Sequence, residues 1–280
     1  MRSQRLSRIV KQLLESFIST SMGHKVASFG SRALKLSSRK IVHGSTTLRL
    51  AYSYPGVRYR VDTFSTKEPE TLAWIDSFPR GSTFVDVGAN IGLYSVYAGA
   101  KGCRVLAIEP GPENIFTLIL NVQLNELIDQ VHLAFSPLGR SNGQPALICQ
   151  GTVDPGGAQL GALGDLEGAV ISWRSSLRSL DSLCEETGLW PDFLKIDIDG
   201  HELELLHGAQ RALRWAQQVL IETDIVDYQF EELRVFLESL GLTIVSQAVA
   251  QPGTSITNII FNNRKPKFRS EEKIVETGSL

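Results

Sequence analysis

Asp86, Gly88, Asn90 and Gly92 fall within one short stretch, Thr83-Phe84-Val85-Asp86-Val87-Gly88-Ala89-Asn90-Ile91-Gly92, where an apolar run meets a glycine turn. Glycines there let the chain bend sharply and bring backbone N–H groups close to a ligand. A second apolar run ends in Ala107-Ile108-Glu109-Pro110, 23 residues after Asp86. A carboxylate at that place can accept both ribose hydroxyls of a nucleoside. The candidates for cofactor binding are therefore Asp86, Gly88, Asn90, Gly92 and Glu109, and together they describe an adenosine site.

A dinucleotide fingerprint runs Gly-x-Gly-x-x-Gly, whereas Ala89, Asn90, Ile91 and Gly92 follow Gly88. That departure, with an acid two residues before the first glycine, favours S-adenosylmethionine over NAD. The alternatives are an NAD(P)-dependent oxidoreductase and a nucleoside-binding protein without turnover. An acceptor that gives up a proton on methylation is helped by a base beside it. Three candidates stand at or just beyond strand ends: Asp197, His201 and Glu222. Asp199 and Glu202 have the spacing of a capping box, so Asp199 is expected to cap a helix and His201 to lie in its first turn. Lys195 shares a strand face with Asp197, either to orient an acceptor or as a buried salt bridge. Asp197, Asp199 and Glu222 have oxygen ligands of the kind magnesium takes; a divalent metal is left open and not predicted.

Elements must hold these residues in place. From Ser82 the sequence alternates strands and helices at the spacing of a doubly wound, mostly parallel α/β sheet. Seven strands are expected: 83–87, 104–109, 131–135, 193–198, 218–223, 242–247 and 255–261. Helices are expected near 91–100, 111–126, 201–214 and 229–240, with Gly208 permitting close packing. The last two strands read as an antiparallel hairpin turning at Gln251-Pro252-Gly253-Thr254. In a 3-2-1-4-5 strand order, the Asp86–Gly92 turn and Asp197 face each other where the order reverses. Before the sheet, Thr46–Leu50 and Val57–Thr63 alternate around Tyr54-Pro55-Gly56 and read as a small hairpin. Residues 136–180 carry eight glycines and read as an insertion, a candidate cover for the substrate. The tail, 264–280, is polar.

Composition sets the boundaries. The chain has 280 residues, 42% hydrophobic and 21% charged, which suits a globular protein and not a fibrous or disordered one. No apolar run is long enough to span a bilayer. Three scattered cysteines and no Asn-x-Ser/Thr sequon argue against a disulfide scaffold or a secreted glycoprotein, and for a cytoplasmic setting. The net charge of −2 hides an asymmetry: the first forty residues hold nine Lys/Arg against Glu15, and the remainder is acidic. An acidic body is a poor grip for nucleic acid. The leader, 1–45, carries Leu6, Ile9, Val10, Leu13, Leu14, Phe17 and Ile18 at helical spacing. It reads as an amphipathic helix that lies on an anionic membrane or packs on the main domain; a cleaved presequence is the third reading.

Two segments resemble the FkbM family of class I methyltransferases. One is Asp86–Gly92; the other is Phe193-Leu194-Lys195-Ile196-Asp197-Ile198-Asp199-Gly200-His201-Glu202 with Leu205-Leu206-His207-Gly208-Ala209 after it. The second is similar to the family's Lys-Ile-Asp-Val-Glu-Gly-x-Glu and Leu-x-Gly-Ala, with Ile198 and Asp199 in place of valine and glutamate. The likeness covers about residues 55–262, including Thr66–Thr71 and Ser179–Leu183. It implies transfer of a methyl group from S-adenosylmethionine to a hydroxyl of a sugar, lipid, polyketide or other small molecule. The domains follow as 1–45 leader, 46–80 hairpin and lead-in helix, 81–263 methyltransferase domain and 264–280 tail.

Overall fold

The computed structural model describes residues 37–150, 158–161, 170–198, 200–250, 253–264 and 266. The leader's expected amphipathic helix, the Asp199 cap and most of the polar tail lie outside these residues.

The chain enters through an antiparallel hairpin, β1 (Ser38–His43) and β2 (Thr46–Ala51), in which His43 pairs with Thr46 and Gly44 takes a positive φ of 53° in the turn. This corrects two expectations. The leader's assigned span reaches into a strand, and the partner of 46–50 precedes it rather than follows it. Val57–Thr63 belongs instead to helix α1 (Pro55–Asp62) and its cap. Val57, Tyr59 and Val61 alternate, but Val57 and Val61 are also one helical turn apart, so the pattern fits both periods. Pro55 in the first helical turn, with its fixed φ, tips the balance. The valines are buried and Tyr59 is exposed, as a helix requires and a half-buried strand does not.

A second short helix, α2 (Pro69–Asp76), leads into the main sheet. Strand β3 (Thr83–Val87) is buried at every position, as expected of a central parallel strand. Helix α3 (Leu93–Ala100), strand β4 (Arg104–Ile108), helix α4 (Pro112–Leu124) and strand β5 (Val131–Ala134) follow. Beyond the insertion come α5 (Leu180–Thr187), β9 (Phe193–Ile196), α6 (Glu202–His207), α7 (Gln210–Trp215), β10 (Gln218–Asp224), α8 (Gln229–Ser239), β11 (Leu242–Val249) and β12 (Ile256–Asn263). The sheet order is β11-β12-β10-β9-β3-β4-β5, with β12 antiparallel to both neighbours and the other strands parallel. The doubly wound, seven-stranded architecture is thus present, including its closing hairpin.

Each face of the sheet carries its own core. The hairpin and α1–α4 cover Phe84, Ala107, Phe193 and Leu220 on one face. On the other, α5–α8 cover Val85, Val87, Leu106, Leu194, Ile196 and Ile221. The hairpin is tied to α4 by Ala51 N–H and Arg49 N–H, which donate to Asn121 Oδ1 (2.7 Å) and Asn125 Oδ1 (2.9 Å).

Two further departures concern glycines. The segment 136–180 holds a small antiparallel sheet in the order β7-β6-β8, formed by β6 (Pro145–Gln150), β7 (Ala158–Gly161) and β8 (Ile171–Ser176). Its glycines obscure the strand pattern, although β6 and β8 have six residues each, more than the five of β3. The helix expected over 201–214 is broken at Gly208, where a Cβ would lie 2.2 Å from the Gly139 carbonyl. That close approach of two backbones is the packing role expected of Gly208.

Candidate active site

Strand β3 ends at the point where the sheet order reverses, with β4 on one side and β9 on the other. The turn that follows has positive φ at Gly88 (77°), Asn90 (54°) and Gly92 (78°). Gly88 is obligatory, because a Cβ there would sit 1.8 Å from the backbone oxygen of Asp197. The turn and Asp197 therefore face each other as the sequence indicates, in backbone contact across the switch point. Asn90 shapes the turn: its Oδ1 accepts from Ile91 N–H at 2.8 Å, and its own N–H donates to Glu109 Oε2 at 2.9 Å.

Glu109 is buried at the end of β4. Its Oε1 accepts from Gly111 N–H (2.7 Å) and Asn114 Nδ2 (3.0 Å), whereas Oε2 accepts only from Asn90 N–H among the described bonds. A carboxylate oxygen can accept two hydrogen bonds, so Oε2 retains capacity for a ribose hydroxyl. Glu109 itself is not among the residues that line the cleft beside the turn. Burial raises its pKa in spite of those three donors.

Asp86 is not among the residues lining the cleft beside the turn. Register pairs it with Lys195 on β9, and alternation turns both side chains to the α1–α4 face, beneath the turn. Asp86 Oδ2 accepts from Ser95 Oγ at 2.5 Å, and Oδ1 is buried without a partner. Burial pushes its carboxyl up, against the pull of Lys195. Lys195 is 1% exposed and donates to Asp197 Oδ2 at 2.7 Å. Burial opposes its charge, but Asp197, Asp86, Glu68 and Glu222 outweigh that and raise its pKa. Of the two roles open to Lys195, the salt bridge is formed.

Asp197 lines two clefts. The first runs along the turn from Gly88 to Tyr94 and is lined also by Arg60, Lys67 and Glu68 from the segment before the sheet. The second is bordered by Glu202, Glu222, Asp224, Asp227 and Gln229. Glu222 is 9% exposed, and its Oε2 is buried without a hydrogen bond. Burial, with the charge of Asp197 second, pushes its carboxyl up to about 8. His201 precedes α6 as its N-cap residue, between two residues lining the second cleft and not among them. The helix starts later than expected, so His201 lies before its first turn. Glu202 accepts from Gly200 N–H at 2.9 Å. No group of three or more His, Cys, Asp or Glu side chains among the described residues is placed to hold a metal ion, and Asp199 lies outside them.

Sequence reasoning gave no role to Glu68, Lys67 and Tyr94. Glu68 is 2% exposed and accepts from Lys67 Nζ at 2.8 Å. Burial disfavours its charge, yet Lys195 and Lys67 hold its pKa below the usual value. Tyr94, under the Lys195 ammonium, is pushed up by burial and by Glu68. The signal was Thr66-Lys67-Glu68-Pro69, an acid–base pair at a proline-initiated helix, in a segment the resemblance already included.

The Methyltransferase FkbM domain model matches residues 86–243, from Asp86 on β3 into β11. The chain belongs to the FkbM methyltransferase family. One relative, "Methyltransferase sdnD" of Sordaria araneosa, is 26% identical over 203 residues, 61% of this chain and 77% of that protein. Among solved structures, the precorrin-6y C5,15-methyltransferase of Geobacter metallireducens GS-15 is 14% identical over 70% of this chain and 86% of its own, with a TM-score of 0.43. TrmK of M. capricolum, in complex with S-adenosylhomocysteine, is 14% identical over 75% and 74%, with a TM-score of 0.44. These are distant likenesses in shape, and the FkbM assignment rests on the family match. It sets the oxidoreductase alternative aside.

Proposed function

We propose that the protein is an S-adenosylmethionine-dependent O-methyltransferase that acts on a hydroxyl of a glycan, a glycolipid or another small metabolite. The observation that carries this reading is Glu222: a buried carboxyl with an oxygen that makes no hydrogen bond among the described residues, on a cleft it shares with Asp197. The donor, when bound, supplies a methyl group already activated on a sulfonium, so that transfer is an in-line displacement governed by alignment.

The chain's residues divide the remaining work. The turn can receive an adenosyl group because Gly88, Ala89, Asn90 and Ile91 line the cleft. Glu109 Oε2 accepts a ribose hydroxyl with its spare lone pair. Asp86 acts from below, through Ser95 and Lys195. Asp197, fixed by Lys195, accepts a hydrogen bond from the acceptor hydroxyl or from the donor's ammonium. Glu222 takes the acceptor's proton; a carboxyl at about 8 is a stronger base, once ionised, than an ordinary one. His201 is the second candidate for that proton.

The partner is therefore a small, glycan or lipid-linked acceptor. The acidic body disfavours nucleic acid, and residues 1–40 supply the basic surface for peripheral contact with an anionic membrane. No helix among the described residues is long and apolar enough to cross a membrane.

The test is incubation with methyl-labelled donor and host glycan and lipid extracts. Label in a methyl ether, reduced about 100-fold or more in Glu222→Gln, is the expected result, since a positioned base contributes about 10²–10⁴. Label on nitrogen or carbon would discard oxygen as the acceptor. Donor binding without transfer to any fraction would favour the binding protein.

A further inference from the structure

The two clefts that meet at Asp197 differ in charge. The acceptor-side cleft is lined by Asp197, Glu202, Glu222, Asp224 and Asp227, and no lysine or arginine lines it among the described residues. The cleft along the glycine turn is lined by three cations, Arg60, Lys67 and Lys195, against Glu68 and Asp197. An amino-acid group carries an ammonium and a carboxylate together, and of the two clefts the one along the glycine turn offers partners for both. Its carboxylate has a defined place to go. Lys195 is buried and committed to Asp197, whereas Lys67 keeps 30% of its side chain exposed and spends one of three N–H donors on Glu68. The charges of Glu68, Glu222 and Asp197 keep Lys67 protonated in spite of its burial.

We propose that Lys67 holds the carboxylate of the donor's amino-acid end, so that the cleft beside the turn takes the donor and the acidic cleft beyond Asp197 takes the acceptor. The proposal rests on S-adenosylmethionine being the donor. Lys67 reaches the site from the segment before the sheet, so α1 and the residues that follow it supply part of the lining that the sheet and its turn do not. Arg60, on α1, lines the same wall. Asp197 would then take the ammonium and Lys67 the carboxylate, both of them residues that line this cleft.

Titration calorimetry with S-adenosylmethionine and with its decarboxylated form separates this contact from every other, because the two differ only in the carboxylate. Wild-type protein is expected to prefer the complete donor. Lys67→Met should weaken the complete donor about tenfold, the size of one lost charge-assisted hydrogen bond, and leave the decarboxylated form within about twofold. Lys67→Arg should restore most of the difference. Equal weakening of both forms by Lys67→Met, no weakening of either, or a wild type that binds both alike would overturn the proposal. A wild type that binds neither would instead remove the donor reading itself, so the two failures are distinguishable. Unchanged binding of the decarboxylated form also reports that the variant is folded.

Discussion

Glu222 and Asp197 are both carboxylates at strand ends on one face of the sheet, yet their surroundings differ, and the roles proposed for them differ accordingly. Asp197 has a buried lysine 2.7 Å away and a partly exposed side chain. Glu222 has no such partner, is more deeply buried and faces the charge of Asp197, so that it holds its proton up to about pH 8. A general base must be ionised to act. Turnover should therefore rise with pH through about 8 and level off above it, with the slope set by this one group. Glu222→Gln should flatten that limb as well as lower the rate, measured as kcat against pH with saturating donor. A profile of unchanged shape in the variant would transfer the role to His201.

At the scale of elements, two glycines hold the site's supports together by letting backbones touch. Gly88 abuts the carbonyl of Asp197, and Gly208 abuts the carbonyl of Gly139 where the α6–α7 break meets the chain leaving β5. Their consequences differ. Gly88→Ala adds a Cβ at a position that is both overlapped and at positive φ, so β3 and β9 must separate at the cleft; donor binding measured by calorimetry should be lost. Gly208→Ala, remote from the cleft, should cost about 1–3 kcal/mol of stability as overpacking, read by chemical denaturation, with donor affinity largely kept. Loss of stability without loss of binding in Gly88→Ala would mean that the turn does not cradle the donor.

On the scale of the molecule, the charge is divided between a basic N-terminal segment and an acidic body. The body's surface should repel an anionic bilayer, leaving any attraction to the first residues. Because β1 starts at Ser38 and belongs to the hairpin packed on α4, the cut that tests this falls before it and not at residue 40 or 45. Removing residues 1–36 should abolish sedimentation with phosphatidylserine vesicles at low salt and leave methyl transfer to a water-soluble acceptor intact. Equal sedimentation of both forms would end the membrane reading.

The sequence by itself determined the central sheet and the place of the site in it. Strands such as Thr83–Val87 are short, mostly apolar runs bounded by turns, and the signals that made Asp86–Gly92, Glu109, Asp197 and Glu222 legible are local ones of type and spacing. Where local patterns fit two periods or were broken by glycine, as at Val57–Val61 and in residues 136–180, only packing chose. The tertiary structure alone decided that Asp86 turns inward and that Lys67 and Glu68, over a hundred residues earlier, line the cleft, and it chose the salt bridge from the two roles that spacing left open to Lys195. Burial and charge pairing depend on what lies opposite in space, which no spacing along a chain records.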